Sequence, residues 1–164
     1  MKGELTLILK GLVTEDFLNY KKCSLFLIFP NCSFKCDKEN GTQVCQNWPL
    51  VNEPSLDIPV EKIINDYLKN ELTEAVVCGG LEPFDSFDEL YQFIRLFRGV
   101  SDDDIVIYTG YTEEELSASM YIAPLAKFGN IIIKYGRYRP NEQPHLDEIL
   151  GVKLASSNQY AKRL

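Results

Sequence analysis

CSLFLIFPNCSFKCDKENGTQVC, residues Cys23 to Cys45, joins an apolar run to a loop holding three of the chain's five cysteines. Cys23 to Phe29 lacks polar alternation and stops at Pro30 and Asn31, the pattern of a strand buried on both faces. Such strands belong to parallel sheets covered by helices, so this run decides the fold class. The loop at its carboxyl end carries Cys32, Cys36 and Cys45. Three thiolates on one loop can hold three irons of a [4Fe–4S] cluster and leave the fourth open to a small molecule. Two other readings fit the same spacing. A structural zinc site would take its fourth ligand from Cys23, Cys78 or His145. Three unrelated thiols would need no partner at all.

Working outward, Leu5 to Leu12 is aliphatic and weakly alternating, which predicts a first strand. Asn47 to Pro59 contains three prolines and reads as an irregular connection. Val60, Ile63, Ile64, Tyr67 and Leu68 recur at helical spacing and predict a helix over Val60 to Leu72. Glu74 to Cys78 reads as a short strand ending in Gly79-Gly80. Ser86 to Arg98 reads as a helix with Ser86 as N-cap and Glu89 at the capping-box position. Asp104 to Tyr108 is another strand, ending at Thr109-Gly110. Thr112 caps a third helix whose first turn holds Glu113, Glu114 and Glu115, where the helix dipole favours them. Gly129 to Lys134 is the last aliphatic strand, and Tyr135 to Pro144 reads as a surface loop. Its Tyr135, Arg137, Tyr138 and Arg139 form a mixture enriched at protein interfaces, set against a plain solvated connection.

Strands alternating with helices imply an α/β fold with a mainly parallel sheet. Five to six strands cannot close an eight-stranded barrel, so an open, partial (β/α) barrel over residues 1–164, a single domain, is expected. Ligands of such sheets sit beyond the carboxyl ends of the strands. The cysteine loop, Gly79-Gly80, Thr109-Gly110 and the loop after Lys134 should therefore share one face. Cys23 and Cys78 lie in apolar strands and read as core thiols.

Composition narrows the setting. A net charge of −7 lacks the clustered Lys and Arg that a nucleic-acid surface needs. No apolar run reaches the roughly eighteen residues of a membrane helix. Five unevenly spread cysteines without a signal peptide point to reduced thiols in a soluble, cytoplasmic protein.

The stretch Cys78-Gly79-Gly80-Leu81-Glu82-Pro83 adds a second signal. Paired glycines at a strand end allow close backbone approach to a ligand, with Glu82 as a nearby acceptor, although a Gly-Gly pair alone also makes a plain turn. Together with the cysteine loop it resembles the radical S-adenosylmethionine enzymes. Tyr108-Thr109-Gly110-Tyr111-Thr112, Tyr135-Gly136-Arg137-Tyr138 and Ser156-Ser157-Asn158-Gln159 are similar to one subfamily, the activating proteins of anaerobic ribonucleotide reductase. The likeness runs from about Cys23 to Gln159, in order. One departure stands out. The family separates its second and third cysteines by two residues, and that third position is Glu39 here. Asp37 to Gln43 then reads as a loop expansion, with Cys45 as the third ligand. The family places an aromatic residue just before its third cysteine; here it is Val44, with Phe34 and Trp48 as candidate substitutes.

The resemblance implies a [4Fe–4S] cluster on Cys32, Cys36 and Cys45, with S-adenosylmethionine as the second cofactor. Gly79, Gly80 and Glu82 would meet its methionine end, and Thr109 and Asn158 its ribose or adenine end. It implies reductive cleavage to a 5′-deoxyadenosyl radical, which makes a glycyl radical on the reductase large subunit. A flavodoxin or ferredoxin would be the electron donor. Two alternatives remain: a radical enzyme acting on a small molecule, as in the deazapurine synthases, and a non-catalytic metal-binding module.

Overall fold

The computed structural model describes residues 3–164. Strands β1 (Thr6–Leu9), β2 (Gly11–Asp16) and β3 (Ser24–Phe29) open the chain. Two short helices follow, α1 (Lys35–Asn40) and α2 (Trp48–Val51), then strand β4 (Leu56–Pro59) and helix α3 (Val60–Lys69). Strand β5 (Ala75–Gly80) leads through a 3₁₀ turn, Pro83–Ser86, into helix α4 (Phe87–Arg98). After β6 (Asp104–Tyr108) come α5 (Glu113–Ala118), α6 (Ile122–Ala126) and β7 (Ile131–Tyr135). Three short strands end the chain: β8 (His145–Asp147), β9 (Val152–Leu154) and β10 (Tyr160–Arg163).

The result is a mixed α/β protein built on an open six-stranded sheet in the order β10-β7-β6-β5-β3-β2. Its four central strands are parallel, and both edges are antiparallel. Ala75, Val76, Val77 and Cys78 are all fully buried, as a strand covered on both faces requires. Alternate side chains feed two cores. Val76, Cys78, Ile105, Ile107, Ile131 and Ile133 pack with the helices, which bring in Ile63, Phe93 and Phe97. Ala75, Val77, Val106 and Ile132 pack on the other face against Tyr20, Leu150 and Leu154. Among the described residues, no helix is long and apolar enough to cross a membrane.

Several local expectations are corrected. Leu5 to Leu12 is not one strand. The chain breaks at Lys10, so that β1 pairs with β4 in a separate ribbon and β2 pairs with β3. The proline-rich connection accordingly contains α2 and β4. Pro49 sits in the first turn of α2, where a missing N–H costs nothing. The helix beginning at Val60 stops at Lys69, and Leu68 is exposed, because the buried stripe is Val60, Ile63, Ile64 and Tyr67. Ser86 stands at the N-cap of α4, but its side chain makes no capping hydrogen bond. The 3₁₀ turn runs straight into that helix, and Glu82 caps the turn instead by accepting from the Phe84 N–H. Thr112 and Glu115 do form the full capping box of α5. Tyr135 and Arg137 are buried rather than solvated, and the residues after Pro144 form the three C-terminal strands.

Asp104, at the start of β6, ties three segments together. Its carboxylate accepts from the Tyr20 hydroxyl at 2.8 Å, Lys22 Nζ at 3.0 Å and Arg163 Nη1 at 3.0 Å. Burial alone would raise its pKa, but these donors overcome it and hold the group at about 2 against an ordinary 3.8. A depressed folded-state pKa adds stability above the unfolded value and loses it as pH falls through the folded one. Asp104→Asn is therefore expected to cost about 2 kcal/mol at pH 7 by urea unfolding. The gap should close as pH falls from about 4 towards 2. An unchanged gap across that window would mean that the charge on Asp104 contributes nothing.

Candidate functional site

A cavity of about 390 Å³ lies at the carboxyl ends of β3, β5, β6 and β7. Its floor is the sheet face carrying Phe26, Tyr108 and Lys134, the last two paired in register across β6 and β7. Its roof is the β8–β9 hairpin, through Val152 and Leu154. The hairpin is pinned by Asp147, whose carboxylate accepts from the backbone N–H groups of Leu150 and Ala161 at 2.9 Å each. The cysteine loop supplies a third wall, with Cys32, Cys36 and Cys45 all lining the cavity. The volume is in the range that takes small molecules.

The loop is fastened to the strand ends by polar contacts that need this tertiary arrangement. Asn31 Nδ2 donates to Ser86 Oγ at 2.9 Å, the Ser33 N–H to Asp85 at 2.8 Å, and Asn47 Nδ2 to the Gly80 carbonyl at 2.7 Å. Asp37 closes the expanded segment on itself. One of its oxygens accepts from the backbone N–H groups of Val44 and Cys45 at 2.7 Å each, and the other accepts from Trp48 Nε1. The extra residues thus bulge outward while Cys45 returns to Cys36. Loop lengthening of this kind adds on the order of 1 kcal/mol in closure entropy. Phe34, in the left-handed region at φ 54°, stacks on Trp48 with centroids 4.6 Å apart. Neither ring lines the cavity.

The donor set fits an iron–sulfur cluster. The Phe34 N–H donates to Cys32 Sγ at 3.2 Å and the Asn47 N–H to Cys45 Sγ at 3.4 Å. Backbone N–H groups aimed at sulfur stabilise thiolates and tune cluster potential. Burial pushes the Cys32 thiol up to about 12, and burial with the neighbouring Cys45 pushes Cys36 up to about 11. A cation reverses that preference, since a coordinating thiol is deprotonated outright. Cys23, Cys78 and His145, the candidates to complete a zinc site, do not line this cavity. Among the described residues, no three His, Cys, Asp or Glu side chains converge as ligands of a single ion.

The remaining sequence-predicted residues divide. Gly80, Glu82 and Thr109 line the cavity, whereas Gly79 and Asn158 do not. Glu82 is buried, and its carboxylate accepts from Thr109 Oγ1 at 2.9 Å, the Gly110 N–H at 2.8 Å and the Phe84 N–H at 3.1 Å. Burial still pushes its pKa up to about 7, outweighing these three donors. Asn158 spends its side chain on structure, donating to the Arg137 carbonyl and accepting from Ser156 Oγ. Gly136, at φ 105°, lets that segment pass within 3.0 Å of where a Cβ would stand.

Three residues escaped the sequence reading. Asp37 looked like part of a polar insertion. Arg137 was a candidate for docking, yet it faces inward and pairs with Glu115 at 2.6 Å. Its Nε also lies 3.4 Å from Glu39, too poorly aligned for a hydrogen bond. Arg137 above all holds Glu115 well below the usual carboxylate range, against the opposing effect of burial. Glu39, at the family's usual ligand position, is thus part of an ion pair. The third residue is Lys134, buried on the cavity floor with its ammonium 5.5 Å from the Tyr108 ring centroid. Burial pulls its pKa down to about 8, against the nearby charges of Glu82 and Cys36, which raise it. Its signal in the sequence was a charged residue ending an aliphatic strand, which a solvated strand end shows equally.

No curated protein matches this sequence. A family model described as a 4Fe-4S single cluster domain matches residues 21–160, from just before β3 to the first residue of β10. That span covers most of the 164 residues and includes the cysteine loop and every strand lining the cavity, so the chain belongs to the 4Fe-4S single cluster domain family.

Proposed function

We propose that this protein is a radical S-adenosylmethionine enzyme that generates a glycyl radical on a partner, the large subunit of an anaerobic ribonucleotide reductase. The observation that supports it is spatial. Cys32, Cys36 and Cys45 share one cavity with Gly80 and Glu82 at the end of β5 and Thr109 at the end of β6. We read the open sheet as a partial (β/α) barrel with its ligands at the carboxyl ends of the strands. Cys32, Cys36 and Cys45 would hold three irons, leaving one for the cofactor's amino and carboxylate groups. Cluster and cofactor together would supply one-electron reductive cleavage of the sulfonium, with the electron drawn from an external donor. The protein's own part is to position and to exclude. Glu82, held by its three hydrogen-bond donors, offers an acceptor beside the methionine end. The β8–β9 hairpin and the cysteine loop wall the cavity above the sheet face.

One observation favours a second reading, in which the substrate is a small molecule. An open sheet by itself would leave its inner face bare for a protein loop. Leu150, Val152 and Leu154 instead cover much of that face. The test is anaerobic incubation of the cluster-loaded protein with S-adenosylmethionine and a strong reductant. We expect 5′-deoxyadenosine, and a glycyl-radical signal by electron paramagnetic resonance when the reductase is added. Absence of 5′-deoxyadenosine from fully loaded protein overturns the radical reading. Turnover of a purine-like molecule with no partner present overturns the activating one.

A further inference from the structure

Lys134 lies near enough to Glu82 and Cys36 to feel their charges, yet it bonds to neither. Its residue is only 6% exposed, yet of its three N–H donors one has an acceptor in the protein, the Gly136 carbonyl at 3.1 Å. That carbonyl is shared, because Gln159 Nε2 also donates to it at 3.3 Å. The Tyr108 ring favours a cation nearby without neutralising it. Among the described residues, no carboxylate forms a salt bridge with Lys134. Glu82, the buried acid of the same cavity, is engaged by Thr109, Gly110 and Phe84. Buried cations are ordinarily paired, since an unpaired one loses its hydration without compensation. A methionine or leucine here would fill the same space at lower cost.

We propose that the inner end of the cavity binds a carboxylate of a small organic ligand, and that Lys134 is the residue that pairs with it. A single ammonium beside the buried Glu82 suits one negative charge better than a phosphate dianion. The rest of the lining, Phe26, Tyr108, Leu18, Val152 and Leu154, suits an apolar or planar body behind the carboxylate. Two sources share this chemistry: the amino-acid end of S-adenosylmethionine, and a substrate that carries its own carboxylate. The inference concerns binding alone, so it stands or falls apart from the radical reading.

Benzoate and its neutral isostere benzamide are suitable probes, titrated calorimetrically into the cluster-loaded protein. The wild type is expected to bind benzoate at least about tenfold more tightly than benzamide, the usual worth of a charge-assisted hydrogen bond. Lys134→Met should erase that preference and Lys134→Arg should keep part of it. Met matches the buried stem and removes a desolvated charge, so this variant should fold; if it does not, the two probes on wild type still decide. Equal affinity of wild type for the two probes overturns the proposal. So does undiminished benzoate binding by Lys134→Met. Saturating S-adenosylmethionine separates the sources. Loss of benzoate binding assigns Lys134 to the cofactor's carboxylate, and simultaneous binding assigns it to a second ligand.

Discussion

Cys45→Ala is expected to lose most of the iron and sulfide that the wild type takes up on anaerobic reconstitution, while Cys23→Ala keeps its full complement. Cys45 lines the cavity beside Cys36, and its sulfur receives the Asn47 N–H. Removing that sulfur deletes one ligand without dismantling the loop. The closing contacts run through Asp37 to the backbone of Val44 and Cys45, which alanine retains. Cys23 lies just before β3, at the opposite end of that strand from the cysteine loop, with its carbonyl accepting from the Glu74 N–H. Burial and the surrounding acids Glu15, Asp16 and Glu74 raise its pKa, which disfavours a thiolate there. Iron analysis of the two variants, alongside unfolding midpoints of the metal-free proteins, decides the matter. Equal iron retention would sink Cys45 as a ligand and return the third position to Glu39 or to no residue of this loop.

Gly80→Ala is expected to destabilise the metal-free protein by about 3 kcal/mol or more in urea unfolding. Gly80 has φ 87°, outside the ordinary range of a side-chain-bearing residue. An added Cβ would stand 2.5 Å from Ile28 Cγ2, 2.9 Å from Ile28 Cα and 3.0 Å from the Phe29 nitrogen. Two of those atoms are backbone of the neighbouring parallel strand and cannot turn aside. Gly79→Ala should cost less, about 1–2 kcal/mol, because its Cβ meets Phe26 Cε2 at 2.9 Å, a ring that can shift. A Gly80→Ala variant no less stable than Gly79→Ala would show that the sheet adjusts more readily than this spacing implies. The comparison bears on the site as well. The sequence suggested both glycines as room for a ligand, whereas the room at Gly80 is taken up by β3. A variant carrying side chains at both positions would therefore report on folding before it reported on binding.

The parts of this protein legible in its sequence are those whose signal is periodic or local. Cys23 to Phe29 and Glu74 to Cys78 read as strands because burial on both faces leaves each run almost wholly apolar. The start of α5 was legible because Thr112 can cap it within one turn, and the structure adds Glu115 as the second half of a capping box. The three loop cysteines could be read as a candidate ligand set because their chemistry does not depend on where the chain goes next. What only the tertiary structure decided is how distant segments meet. The edge strand Tyr160–Arg163 is held by backbone pairing to β7 with one side chain buried, so it carries no apolar pattern. Asp37 closes the cysteine loop, Arg137 turns inward to Glu115, and the β8–β9 hairpin roofs the cavity. Each is a pairing between residues whose identities, taken singly, suit a solvated surface equally well. Lys134 is the sharpest case: on the chain it ends an aliphatic run, and only the packed sheet and hairpin place its charge inside the protein, where burial without a direct ion pair makes it costly.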